Sequence, residues 1–319
     1  MYGRRLVWLW SGLQGDSGWK RDRAVSFTGG ADGAAPQRGL LLDAKGNLYG
    51  TTPSGGADGF GTVFKVDENG KETVLYSFTG GADGGNPYSG LVRDAQGNLY
   101  GVAGQVVFKL DENGHETVLY TFKGAATPNG SLLRDAKGNL YGTTAGGGTH
   151  GFGTVFKLDT SGKKHALYNF CPQGGICTDG AVPFAGVIQD AAGNLYGTAS
   201  QGGTAGWGTV FELNTSGKEK VLHSFTYGDG ALPSFGVIRD TNGNLYGTTV
   251  YGGIQKKTCT LGCGVIFKVT KAGKESTLYS FTFAQGANPE AGVIRDANGN
   301  LYGTTVMGHA FGTVFRLTP

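Results

Sequence analysis

The pentapeptide Gly-Asn-Leu-Tyr-Gly occurs six times in this 319-residue chain, beginning at Gly46, Gly97, Gly138, Gly193, Gly243 and Gly299. Self-similarity at spacings of 41 to 56 residues is close to the length of one propeller blade and overrides any domain count taken from length. Around each copy runs the same order of parts. A short apolar run ends in Asp, a turn leads into Asn-Leu-Tyr-Gly, a Gly-rich loop follows, then a Val-Phe run, a second turn, and a run such as Thr-Val-Leu-Tyr-Ser-Phe. In the second unit Ala95-Gln96-Gly97 and Glu112-Asn113-Gly114 are the tight connections. Connections this short force antiparallel neighbours. A four-stranded meander with two apolar faces has to be stacked between others, and radial stacking buries both faces.

Strand counting closes the ring. The last unit stops after Thr313 to Leu317, its third strand, while Arg23-Ala24-Val25-Ser26-Phe27-Thr28 matches Val74-Leu75-Tyr76-Ser77-Phe78-Thr79 with no complete unit before it. The expected fold is all-β, a six-bladed β-propeller with four antiparallel strands per blade and an N-terminal strand closing the last one. Residues 1–20 lie outside the repeat and read as a leader or truncated segment; 21–319 read as a single propeller. With Gly at 61 positions, long helices are disfavoured. Lys and Arg number 27 against 24 acids, without a basic cluster, so nucleic acid is excluded as the expected partner. No apolar stretch is long enough for a membrane helix. A monomer is expected.

These repeats resemble the Gloeobacter–Verrucomicrobia tandem-repeat family, on the segments GNLYGTT at Gly46 to Thr52, Gly55-Gly56 and GTVF at Gly61 to Phe64. The resemblance implies secreted bacterial proteins and carries no catalytic residues with it. The strand order also looks like that of gluconolactonase-type propellers, a likeness of architecture that transfers no function.

Positions that differ within a constant frame are the ones free to serve a ligand. The clearest set follows a recurring Pro before each first strand: Gln37-Arg38, Tyr88-Ser89, Asn129-Gly130, Phe184-Ala185, Ser234-Phe235 and Glu290-Ala291. Gln37, Arg38, Tyr88, Asn129, Phe184, Phe235 and Glu290 are therefore the candidate ligand-binding residues, at the mouth of the channel on the long-loop face. Arg38 and Glu290, with His150 and His309 in long loops, are the candidate catalytic groups. Asp32, Asp83, Asp179 and Asp229, each in Asp-Gly-x-x-Pro, are either turn residues or oxygen ligands for Ca²⁺ or another divalent cation. His223 stands where other units have Tyr and is read as a structural substitution. Arg93, Arg134, Arg239 and Arg295 recur before Asp and are expected to form ion pairs between blades. Phe60, Phe152, Trp207 and Phe311 recur at one loop position, as rim packing or as a surface for sugar stacking.

Cys171 with Cys177 and Cys259 with Cys263 are expected to be local disulfides, which points to a secreted or periplasmic protein. Blade two has only Val102 to Gln105 between its inner strands, and blade five carries an insertion from Tyr251 to Gly264. The long-loop face should thus be a cleft, low at blade two. The leading function is a secreted propeller binding a small molecule or glycan. The alternatives are a cation-dependent hydrolase of a lactone, ester or phosphoester, or a lyase, at the same mouth, and a protein-interaction scaffold.

Overall fold

A computed structural model describes residues 25–308 and 312–319. His309 and Phe311, and the N-terminal segment through Ala24, lie outside the described residues. The chain forms six antiparallel sheets, each in sequence order. Blade one comprises Leu41–Leu42, Leu48–Thr52, Thr62–Val66 and Glu72–Ser77. Blades two to five repeat it, starting at Val92, Leu133, Ile188 and Ile238, and blade six has the three strands Ile294–Arg295, Leu301–Thr305 and Thr313–Leu317. One 3₁₀ turn, Phe283–Gln285, is the helical content of the described residues. The architecture is the all-β, six-bladed propeller that the repeat calls for. The chain divides into two compact units, one ending at Phe122 with blades one and two, the other from Lys123 to Pro319 with blades three to six.

The recurring Asp and the Asn-Leu-Tyr that follows it build one turn. Asp94 accepts hydrogen bonds from the N–H groups of Gln96 and Asn98, from Asn98 Nδ2 and from the Tyr100 hydroxyl, at 2.7 to 3.0 Å. Asp43, Asp135, Asp190, Asp240 and Asp296 hold their Asn and Tyr in the same way. Burial works to raise Asp43, but the Asn47 side chain and the turn N–H groups outweigh it and hold the carboxyl at about 2. Because these aspartates bond within the turn, the preceding arginines turn elsewhere. Arg93 lies over the Tyr49 ring of the previous blade at 5.6 Å, Arg239 over Tyr196 at 5.5 Å and Arg295 over Tyr246 at 5.8 Å. At these three positions the expected ion pairs are replaced by cation–π contacts.

The core lies between consecutive blades. The outer strands of blades one, three, four and five each lead into a Phe that stands edge-on to the third-strand Phe of the next blade: Phe78 to Phe108, Phe170 to Phe211, Phe225 to Phe267 and Phe281 to Phe315, with centroids 5.1 to 5.2 Å apart. The last Gly of GNLYG makes room for that ring. A Cβ on Gly247 would stand 2.6 Å from the Phe267 ring. Just before each Phe, the third and outer strands of blades one to five shift register at a bulge, which adds local twist. Phe27 meets Phe64 edge-on at 4.8 Å, as Phe78 meets Phe108, and both Phe27 and Val25 are buried. Residues 25–27 thus pack on blade one as an outer strand packs on the blade that follows it.

Candidate functional site

The variable residues sit on a backbone that the frame holds fixed. The first Thr of GNLYGTT donates its hydroxyl to the carbonyl of the second variable residue of the next blade: Thr51 to Ser89, Thr143 to Ala185, Thr198 to Phe235 and Thr248 to Ala291, at 2.7 to 3.1 Å. The residue before the Pro is held more tightly still. Ala35, Asn86, Val182, Leu232 and Asn288 all have φ between 50° and 56°. This left-handed conformation disfavours side chains with a Cβ, and the position before proline ordinarily runs extended. Each of the last four donates its N–H to a carbonyl of the preceding blade's loop, those of Phe60, Phe152, Trp207 and Cys263, at 2.7 to 3.0 Å. The Pro then packs on the Gly that opens GTVF, where φ is positive; Pro87 Cδ would lie 2.7 Å from a Cβ on Gly61. Strain that the surroundings over-determine is the mark of a place where backbone position matters.

In the first unit Arg38 donates from Nε to the Tyr88 carbonyl at 2.5 Å, Gln37 is exposed, and the Tyr88 ring is 45% exposed. In the second, Phe184 is 37% exposed, Asn129 and Phe235 are half-buried, and Glu290 is exposed. His150 is tied to the Pro172 carbonyl at 3.0 Å, beside the Cys171–Cys177 disulfide. Cys259–Cys263 closes the blade-five insertion.

The four Asp-Gly aspartates bind their own turns. Asp32 accepts from the N–H and hydroxyl of Thr28, and Asp83 from both groups of Thr79 and from the Tyr76 hydroxyl. Burial pushes both upward, but the Thr hydrogen bonds outweigh it and leave them below the usual carboxylate range. Asp179 accepts from the Tyr168 hydroxyl and the Cys171 N–H, and Asp229 from His223 Nε2 and the Thr226 N–H. His223 thereby fills the place of a tyrosine, as its sequence position implies.

A glutamate from the next outer strand faces each of these aspartates. Glu219 has a buried Oε1 without a partner, and burial together with the Asp179 charge pushes it up to about 7. An acid raised on folding contributes stability that is fully present below its unfolded value near 4.5 and is lost as pH rises through 7. Glu219→Gln should therefore be more stable than the wild type at pH 8 by about 1–2 kcal/mol, discounted for solvent screening, with the difference vanishing near the unfolded value. Urea melts at the two pH values measure it; an equal difference at both contradicts this origin.

A groove of about 470 Å³ opens in the first unit, where blade two is short. Only Gly104 and Gln105 separate the second and third strands of blade two, while loop 53–61 does so in blade one and 200–208 in blade four. In blades one, four and five this loop covers the turn before its blade. Gly56, Gly203 and Gly253 donate to the carbonyls of Gly30, Cys177 and Tyr227, and the loop carbonyls of Ser54, Gln201 and Tyr251 accept from Ala34, Ala181 and Ala231. At blade two the matching groups are the Gly81 carbonyl, which keeps its bond from the Gly84 N–H, and the Gly85 N–H. Among the described residues no loop hydrogen-bonds to either group; Gly81 is exposed, and Gly85 is buried with Gly104 of the short loop against it. They floor the groove, and Phe60, 40% exposed and flush against Gly80, is its wall. The sequence showed the short loop and the recurring aromatic; the acceptor and donor that the missing loop leaves behind emerge from comparing blades in three dimensions.

Fold and site define a propeller with a long-loop groove on blade two and variable side chains on a pinned backbone. The chain belongs to the Gloeobacter/Verrucomicrobia repeat family, whose model matches residues 16–126 and 127–319. No curated protein matches the sequence. Among solved structures, virginiamycin B lyase from Staphylococcus aureus is similar, with a TM-score of 0.59 at 14% identity over 88% of this chain and 83% of that one. A gluconolactonase from Xanthomonas campestris gives 0.53 at 16% identity, over 90% and 88%. The calcium-binding protein regucalcin from Agrobacterium tumefaciens gives 0.54 at 15%, over 89% and 90%. At these identities the likeness is one of fold.

Proposed function

We propose that this protein binds a polyhydroxylated small molecule or glycan in the groove over blade two, outside the cytoplasm. The observation that carries the proposal is the vacated loop position. A carbonyl acceptor and an N–H donor lie beside an exposed aromatic face, the pairing that a sugar's hydroxyls and its C–H face fit. Asn86 and Gln105, which also line the groove, supply side-chain amides. The two disulfides fit an oxidising compartment.

Phe60→Ala should weaken binding by about tenfold while leaving the melting temperature unchanged, because the ring is a wall and not core. A ligand-observed NMR screen of mono- and oligosaccharides finds the ligand, and calorimetry on the variant tests the site. Undiminished affinity in Phe60→Ala counts against it. A second reading, hydrolysis or elimination on the same face, draws on the similar folds of a lyase and a gluconolactonase. Turnover of lactones or esters that a chelator abolishes would favour that reading over binding alone.

A further inference from the structure

We infer that His223, Asp229 and Glu275 form a binding site for a divalent transition ion of the zinc type, at the junction of the outer strands of blades four and five. One ligand atom from each lies within 4.8 Å of the other two, the one such group of three or more His, Cys, Asp or Glu among the described residues. His223 Nε2 and Asp229 Oδ2 are 3.1 Å apart. Ligands held about 2.0–2.2 Å from a zinc ion lie roughly 3.0–3.5 Å from one another, so small side-chain rotations bring the three onto one ion.

Each ligand is also oriented from behind. The His223 ring stands edge-on against Phe225 at 4.8 Å and 88°. Asp229 receives the Thr226 N–H on Oδ1, which leaves Oδ2 for the site. Glu275 receives the Thr277 hydroxyl on Oε1 at 3.1 Å. Supporting bonds of this kind are what fix metal ligands in place. His223 and Asp229 side chains are 16% and 22% exposed, which shelters the site and leaves an approach from solvent. One imidazole with two carboxylates suits zinc and its neighbours better than calcium, which takes oxygen ligands.

The repeat provides an internal control. Tyr76 with Asp83, and Tyr168 with Asp179, build the same junction with a phenol donating to the carboxylate. A protonated phenol is a donor and not a ligand, so the exchange of Tyr for His changes the chemistry at this one junction while keeping its packing.

Zinc titration of the chelator-stripped full chain by calorimetry, with parallel thermal melts, tests the inference. The wild type should bind one equivalent and melt higher with zinc. His223→Tyr, which restores the arrangement of the other junctions, should stay folded and lose more than about 100-fold in affinity; Thr277→Val, which frees Glu275, should lose about tenfold. His150→Ala should bind as the wild type does. Absence of stoichiometric binding by the wild type, or equal binding by folded His223→Tyr, overturns the site.

Discussion

Phe267→Ala should lower stability by about 3–5 kcal/mol, the range for emptying a buried aromatic site. Phe267 is fully buried, takes the edge of Phe225 at 5.1 Å and belongs to the cluster of Val210, Leu222, Val237 and Val265. Gly247 leaves no Cβ to relax into the space, and the strands on either side are held by their ladders, so the cavity persists. Chemical denaturation of the variant measures the loss. A loss below about 1 kcal/mol would mean that the junction collapses and that the recurrence of this Phe has another cause.

Deleting residues 1–28 should lower the melting temperature by roughly 10 °C or more and promote aggregation. Val25 and Phe27 leave their places over Phe64 and Val66, each burial contributing roughly 1.5–3 kcal/mol, and that apolar face of blade one is uncovered. A control lacking residues 1–18 should melt as the full chain does. Scanning calorimetry and light scattering on the two truncations decide the matter. Equal melting and solubility would mean that residues 25–27 are an appendage and not a blade strand.

The fold was legible because the repeat states it six times: every Asn-Leu-Tyr-Gly marks a second strand, and tight turns leave no choice of pairing. The arginines were misjudged because Arg before Asp looks like an ion pair in sequence. Turn N–H groups, the neighbouring Asn and the Tyr hydroxyl take up the carboxylate, and the guanidinium goes to a ring instead. The left-handed residues were hidden, since Val182 and Leu232 before proline read as extended chain. His223 was seen as a substitution, but Glu275 comes beside it only through the packing of adjacent outer strands. The blade-two gap was visible as a missing loop. That the loss leaves a donor and an acceptor beside Phe60 follows from what the loop bonds in the other blades.

The most direct measurement is the affinity of a loop graft. Replacing Gly104-Gln105 with the loop 200–208 of blade four should fill the groove and supply the bonds that Gly81 and Gly85 lack. The grafted protein should melt at or above the wild-type temperature and lose at least tenfold in affinity for the saccharide that the wild type binds. A graft that binds as tightly as the wild type, or a wild type that binds no saccharide of the screen, contradicts the assignment of the groove as the binding site.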